Sequence, residues 1–143
     1  MAYMEDADIV VAATSCKELN DAIVRSALSM GKMVNSAHGG GDVLIPTVLR
    51  RQNYSIAISS GGRAPAFPPF LADVLDGFLD PSYDLMVELL VRLRPEIRRR
   101  IGTQTERAAF FAGVLRNDVI WTLLREERTE EAYHMALEGV GTE

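Results

Sequence analysis

IVVAATSCKELNDAIVRSALSMGKMVNSA, residues 9–37, is the stretch that decides the fold. It opens on Ile9-Val10-Val11-Ala12-Ala13, a short and continuously apolar run with β-branched residues, which reads as a buried parallel strand. The run stops at Thr14-Ser15. Ser15 followed by Glu18 has the spacing of a capping box, and Leu19, Ala22, Ile23, Ala27 and Met30 repeat with helical period. Gly31 is placed to end that helix in the left-handed conformation, and residues 32–37 read as a second strand. Strand, helix and strand within about thirty residues make a βαβ unit, which requires a parallel pair and a right-handed crossover.

Working outward, His38-Gly39-Gly40-Gly41-Asp42 is a turn of permissive backbone. Residues 43–49 and 54–59 are β-rich and joined by Arg50-Arg51-Gln52-Asn53, so a hairpin is expected, with Ile56-Ala57-Ile58 central and buried. Ser59-Ser60-Gly61-Gly62-Arg63-Ala64-Pro65 breaks the strand, and Pro68 and Pro69 suit the first turn of a helix over residues 68–79. From Asp80 onward the pattern is helical only. A helix over residues 82–101 contains Pro95, which should kink or split it. Thr103 and Glu106 form a second capping box, Asn117 is placed to cap a further helix, and residues 129–137 form the last. The composition shift near Asp80 is the expected domain boundary.

The totals bound the function. With 143 residues, 48% of them apolar and 24% charged, the chain fits one domain, or one small domain with a helical extension. A net charge of −5 argues against general nucleic-acid binding, which needs excess positive charge. Of the basic residues, five arginines fall together at 92, 94, 98, 99 and 100. They read as a candidate anion site, or as a solvated helix face paired with acids such as Glu88 and Glu96. Cys16 is alone, and His38 and His134 lie far apart, so there is no disulfide and no metal-ligand cluster. No run is long enough to span a bilayer, and the acidic first eight residues are unlike a signal peptide, so a soluble cytoplasmic protein without membrane contact is expected.

Two places carry candidate chemistry. A strand ending Ala12-Ala13-Thr14, a helix, then Val34-Asn35 is an arrangement common in dinucleotide-binding sheets, where small residues let a ribose approach the backbone; it also serves plain tight packing. In Ser59-Ser60-Gly61-Gly62-Arg63, amides beside glycines ahead of a helix make a natural anion nest, or a connection in which glycine merely supplies positive φ.

In order and approximate spacing, residues 9–14, Asn20, Val34-Asn35, Ile45-Pro46, residues 56–62 and Pro65 resemble the precorrin-2 dehydrogenase and sirohydrochlorin ferrochelatase module of siroheme synthase. The resemblance covers residues 6–79 well, and the helical tail agrees in character. It implies an α/β fold: residues 1–37 as a remnant of an NAD-binding Rossmann domain, 38–79 as a dimerisation region with a tetrapyrrole-cleft loop, and 80–143 as a helical C-terminal domain. It implies NAD-dependent oxidation of precorrin-2 to sirohydrochlorin, with ferrous iron insertion in some members, by a homodimer. Ala13, Thr14, Val34 and Asn35 would line the NAD site, and Ser59, Ser60, Gly61, Gly62 and Arg63 the tetrapyrrole cleft.

Two departures from the family pattern stand out. Its glycine-rich phosphate loop has no counterpart here, since Gly39-Gly40-Gly41 leads into another strand. The expectation is that the cofactor half was removed or that another subunit supplies it. The family's catalytic aspartate is replaced by His38, with Asp42 near enough in sequence to approach the same place, so both are candidate catalytic residues. Two other readings stay open: a non-catalytic tetrapyrrole-binding or scaffold protein, and a metal chelatase that performs no oxidation.

Overall fold

The computed structural model describes residues 4–138. The elements run β1 (Ile9–Ala12), α1 (Lys17–Ser29), β2 (Met33–Ser36), β3 (Thr47–Arg50), β4 (Ser55–Ile58), α2 (Phe67–Phe78), α3 (Ser82–Arg100), α4 (Gln104–Leu115), α5 (Asp118–Arg125) and α6 (Thr129–Glu138). This is a mixed α/β chain whose last part is wholly helical. It divides into two compact units, one built from residues 4–48 with Ala57–Ala72, the other from Leu49–Ile56 with residues 73–138.

In the first unit β1 and β2 pair in parallel, Val10 opposite Val34 and Ala12 opposite Ser36. Side chains alternate across a strand. One face of the pair therefore presents Val10, Ala12 and Val34, which form a core with Val24 and Ala27 of α1. The other face carries Ile9, Val11 and Met33, all exposed. Helix α1 ends as its sequence requires, with Gly31 at φ 69° and the amides of Met30 and Gly31 bonding back onto the last turn. Its start differs from expectation. The N-cap is Cys16, which makes no side-chain cap, so Ser15 and Glu18 do not form a capping box. Thr14 takes over the turn, its Oγ1 accepting from the Cys16 amide at 3.2 Å.

Strands β3 and β4 form a two-stranded sheet closed by the Arg51 amide on Tyr54 O at 2.9 Å. The expectation that residues 56–58 are central and buried fails for Ala57, which is exposed, and for Ile56, which is half-buried. A ribbon of two strands has no central strand, so only Ile58 reaches full burial. In the second unit the hairpin tip is tied to the helices. Arg51 Nη2 donates to Asp76 O and Leu79 O, and Asn53 donates to Asp84 and Glu88.

Helix α3 is the spine of that unit. Met86, Leu89, Leu93 and Ile97 recur on one face and are buried against Val114, Ile120, Leu124, Ala132 and Ala136 from the three later helices. Pro95 does not split α3: the helix runs unbroken through nineteen residues, because packing on both sides of the lost backbone bond outweighs it. Thr103 and Glu106 form the expected capping box. Asn117 Oδ1 accepts from the amides of Val119 and Ile120, capping α5. Among the described residues no helix is long and apolar enough to cross a membrane.

Candidate functional site

Asn20 organises the first cluster. Three residues beyond the Lys17 start of α1, it occupies the helix's buried face with Val24 and Ala27, and it is fully buried. A polar side chain there must be satisfied. Its Oδ1 accepts from the Thr14 amide at 2.9 Å and from Thr14 Oγ1 at 2.7 Å. Its Nδ2 donates to Thr14 O at 2.9 Å and meets His38 Nδ1 at 2.7 Å. One amide thus clamps the end of β1 and reaches the turn after β2, bringing Thr14 and His38 together at the carboxyl ends of the two parallel strands.

That clamp fixes the histidine. A backbone N–H only donates and a backbone carbonyl only accepts, so the two Thr14 contacts leave no freedom to exchange Asn20 oxygen and nitrogen. Nδ2 is the donor, and His38 Nδ1 must accept. Neutral His38 therefore carries its proton on Nε2, on an exposed ring. It presents a hydrogen-bond donor outward, while its basic nitrogen is already engaged.

Asp42 serves the backbone. Its Oδ1 accepts from the Val34 amide at 2.7 Å, the Val43 amide donates to Val34 O at 3.0 Å, and Asn35 Nδ2 donates to Val43 O at 2.8 Å. The segment after the glycines is thus laced to the free edge of β2. Gly41 permits it: a Cβ there would lie inside contact distance of Val34 O, 3.1 Å from Val34 C and 3.2 Å from Asn35 Cα. The sequence-named residues Val34, Asn35 and Asp42 are brought together, but by structural bonds, and Val34 itself is buried.

Ser59, Ser60, Gly61 and Arg63 form a second cluster, lining with Ala64 and Phe67 an open groove of about 560 Å³; Gly62 completes the loop but does not line the groove. Gly61 and Gly62 sit at φ 64° and 75°, conformations that side-chain-bearing residues rarely adopt. The loop consumes much of its own donor capacity. Ser59 Oγ accepts from the Gly61 amide, Ser60 Oγ accepts from the Ala64 amide, and the Arg63 amide bonds to Ser60 O. The Arg63 guanidinium, the amide of exposed Gly62 and the hydroxyl of exposed Ser59 donate to none of these partners.

A bound dinucleotide needs both a ribose surface and a phosphate cradle. Exposed Ala13 and Thr14 offer a small-residue surface of the kind a ribose needs. The N-terminus of α1 follows no glycine-rich turn and holds Glu18, whose carboxyl is kept below its ordinary range by its own backbone amide and by the Cys16 thiol, 3.3 Å away. An anionic side chain already on that helix end does not fit a phosphate. The described residues therefore offer a ribose surface but no cradle for a pyrophosphate. No group of three or more metal-ligating side chains occurs among them either.

Asn20 is the residue whose role the sequence under-reported. The available signal was an asparagine in register with the buried positions Val24 and Ala27. Among the arginines, Arg92 makes a two-pronged pair with Glu130 at 2.8 and 3.0 Å, and Arg99 and Arg100 both pair with Glu96, as expected of a charged surface.

Comparison with known proteins gives a consistent result. Residues 82–138 match the model of the sirohaem synthase dimerisation region. The chain is 31% identical over 128 residues to a precorrin-2 dehydrogenase of Methanosarcina barkeri, covering 87% of this chain and 57% of that protein. It is 35% identical over 130 residues to a siroheme synthase of Xylella fastidiosa and 30% over 135 to one of Nitrosococcus oceani, covering 90% and 92% of this chain but 27% and 29% of those proteins. A solved structure titled SirC, precorrin-2 dehydrogenase, shares the fold with a TM-score of 0.57 at 20% identity, over 93% of this chain and 64% of that one. The chain thus spans little more than half of the dehydrogenase and less than a third of the siroheme synthases. Residues 82–138 carry the sirohaem synthase dimerisation region, and nearly all of the chain is similar to part of the precorrin-2 dehydrogenase and siroheme synthase sequences.

Proposed function

We propose that this chain serves siroheme biosynthesis, in the NAD-dependent oxidation of precorrin-2 to sirohydrochlorin. The observation that carries the reading is the Thr14–Asn20–His38 network at the carboxyl ends of β1 and β2, the edge at which open α/β sheets hold their ligands. In this reading residues 1–37 contribute the cofactor side, with Ala13, Thr14, Val34 and Asn35 flanking it. Residues 38–79 contribute the substrate side, through Ser59, Ser60, Gly61, Gly62 and Arg63, and residues 80–138 the helical body, residues 139–143 lying outside the described residues. Precorrin-2 is a polycarboxylate, and Arg63 and the Nε2–H of His38 are the groups free to bind its carboxylates.

Because the described residues do not fit a pyrophosphate, no hydride step is assigned to this chain alone. His38 acts as a donor that orients substrate, and Asp42 as a positioning group that holds the turn in place. Ferrous iron is a further substrate for the same cleft. The protein works as a cytoplasmic homodimer, the assembly in keeping with the matched dimerisation region. The second reading, a tetrapyrrole-binding scaffold without oxidation, is favoured by the lack of a glycine-rich phosphate loop among the described residues and by the engagement of both candidate bases.

An anaerobic assay of the whole chain with precorrin-2 and NAD, following sirohydrochlorin absorbance, separates the two. Turnover that falls at least tenfold in His38→Ala supports the dehydrogenase. Sirohydrochlorin binding without turnover, and without saturable NAD binding, selects the scaffold.

A further inference from the structure

Not all of the arginine cluster is spent on acids. Arg92, Arg99 and Arg100 are paired, but among the described residues Arg94 and Arg98 carry no ion pair. Four apart in α3, these two share one face. With Arg107 of α4 they line a groove of about 500 Å³ whose apolar walls include Leu90, Val91 and Phe111, and none of the residues lining it is acidic. Arg107 is held in place through Nη1, which donates to Ile101 O at 2.9 Å and Gly102 O at 2.8 Å, leaving the rest of its fork open.

Three guanidinium groups on one concavity of a chain with net charge −5 repel one another until an anion joins them. Exposed Val91 adds an apolar wall beside them. We propose that the α3–α4 groove binds an apolar-bodied polycarboxylate. The body rests on Phe111, Leu90 and Val91, and at least two carboxylates are taken up by the arginines. One carboxylate would satisfy only part of the set, and a compact polyanion would leave the apolar wall wet. The volume suits a molecule of several hundred daltons. Two sources share this chemistry, a carboxylated macrocycle and a long-chain dicarboxylate; the first rests on the siroheme reading above, the second does not.

The test titrates the full chain by calorimetry with coproporphyrin, hexadecanedioate and citrate. It compares wild type, Arg94→Ala/Arg98→Ala, Arg94→Lys/Arg98→Lys and Arg63→Ala, with circular dichroism confirming that each variant is folded. The expected result is saturable binding of at least one apolar-bodied probe and none of citrate. The groove's share of that binding should weaken at least tenfold in the alanine pair and less in the lysine pair, while Arg63→Ala reports the separate tetrapyrrole cleft and should leave any hexadecanedioate binding unaltered. Arginine-dependent binding of the dicarboxylate alone supports the groove with an aliphatic ligand and counts against the macrocycle. Macrocycle binding lost in Arg63→Ala but kept in the alanine pair overturns the groove while leaving the siroheme reading standing. Citrate binding as tightly as the apolar-bodied probes, or no binding by any of them, overturns it outright.

Discussion

Gly41→Ala tests the architecture of the turn that carries His38 and Asp42. Gly41 does not have positive φ, so by backbone conformation alone alanine should be tolerated, even stabilising by about 0.4–1 kcal/mol through a less mobile unfolded chain. The structure predicts the opposite sign. The new Cβ would press into the β2 backbone, against Val34 O and within 3.1–3.2 Å of Val34 C and Asn35 Cα, and backbone cannot turn aside as a side chain can. Relief needs a shift of about 1 Å. That would take the Asp42–Val34 bond (2.7 Å), the Val43–Val34 bond (3.0 Å) and the Asn35–Val43 bond (2.8 Å) past hydrogen-bonding range. At about 1 kcal/mol for each of the two neutral bonds and about 1.5–3 for the one to a carboxylate, the loss is about 3.5–5 kcal/mol. Gly40→Ala is the control: its φ of 83° brings strain of about 1–2 kcal/mol, but the nearest atom to its Cβ is Val24 Cγ1 at 3.9 Å. Urea unfolding gives the totals, and amide exchange at Val34 and Val43 reports the local loss. Equal or smaller destabilisation by Gly41→Ala than by Gly40→Ala, with those two amides still protected, would refute the reasoning.

Three further outcomes follow from other parts of the chain. Long-range proton–nitrogen spectra of the imidazoles should show neutral His38 as the Nε2–H tautomer, and Asn20→Asp, which trades the donor for an acceptor, should convert it to Nδ1–H; a wild-type Nδ1–H signal would contradict the assignment. Thr103→Ala should cost about 1 kcal/mol as a lost N-cap. In the same box the Glu106 carboxyl is held below its ordinary range, first by the Thr103 hydroxyl and then by its amide. Its stabilisation is thus present above the unfolded value near 4.5 and lost as pH falls through the lower folded value, so melting curves between pH 6 and 3 should be flatter for Glu106→Gln than for wild type. Leu93→Ala, at a fully buried position of the helical core, should cost about 2–5 kcal/mol, while Arg99→Ala on the surface should stay within about 0.5; similar losses from both would undo the account of that core.

The βαβ unit, the hairpin and the helical tail were legible because each follows from local rules: an apolar run, a period, a glycine where φ must be positive. The capping pairs at Thr103 and Asn117 were equally readable, since both partners lie within three residues. The first capping box was not, because Ser15 competes with a longer-range arrangement in which Thr14 answers to Asn20 six residues on. Pro95 was over-weighted, as a sequence rule counts the missing bond but not the side chains, Leu93 and Ile97, that hold the helix on either side. Asp42 had the right position to be named as a base and the wrong partner, because its bond to the Val34 amide depends on register across a turn that no spacing rule encodes. The split of the arginines into paired and unpaired sets likewise needed the packing of α4 and α6 against α3.

The bare side of the parallel pair has a consequence in time. Ile9, Val11 and Met33 precede helices α2 to α6 in the chain, so during translation this face is finished while the larger core is still unmade. A nascent chain at that stage shows a flat, sticky patch beside an unpaired strand edge, which is what holdase chaperones recognise and what aggregation seeds on. Yield on expression should therefore depend more on translation speed and chaperone supply than on the stability of the finished fold.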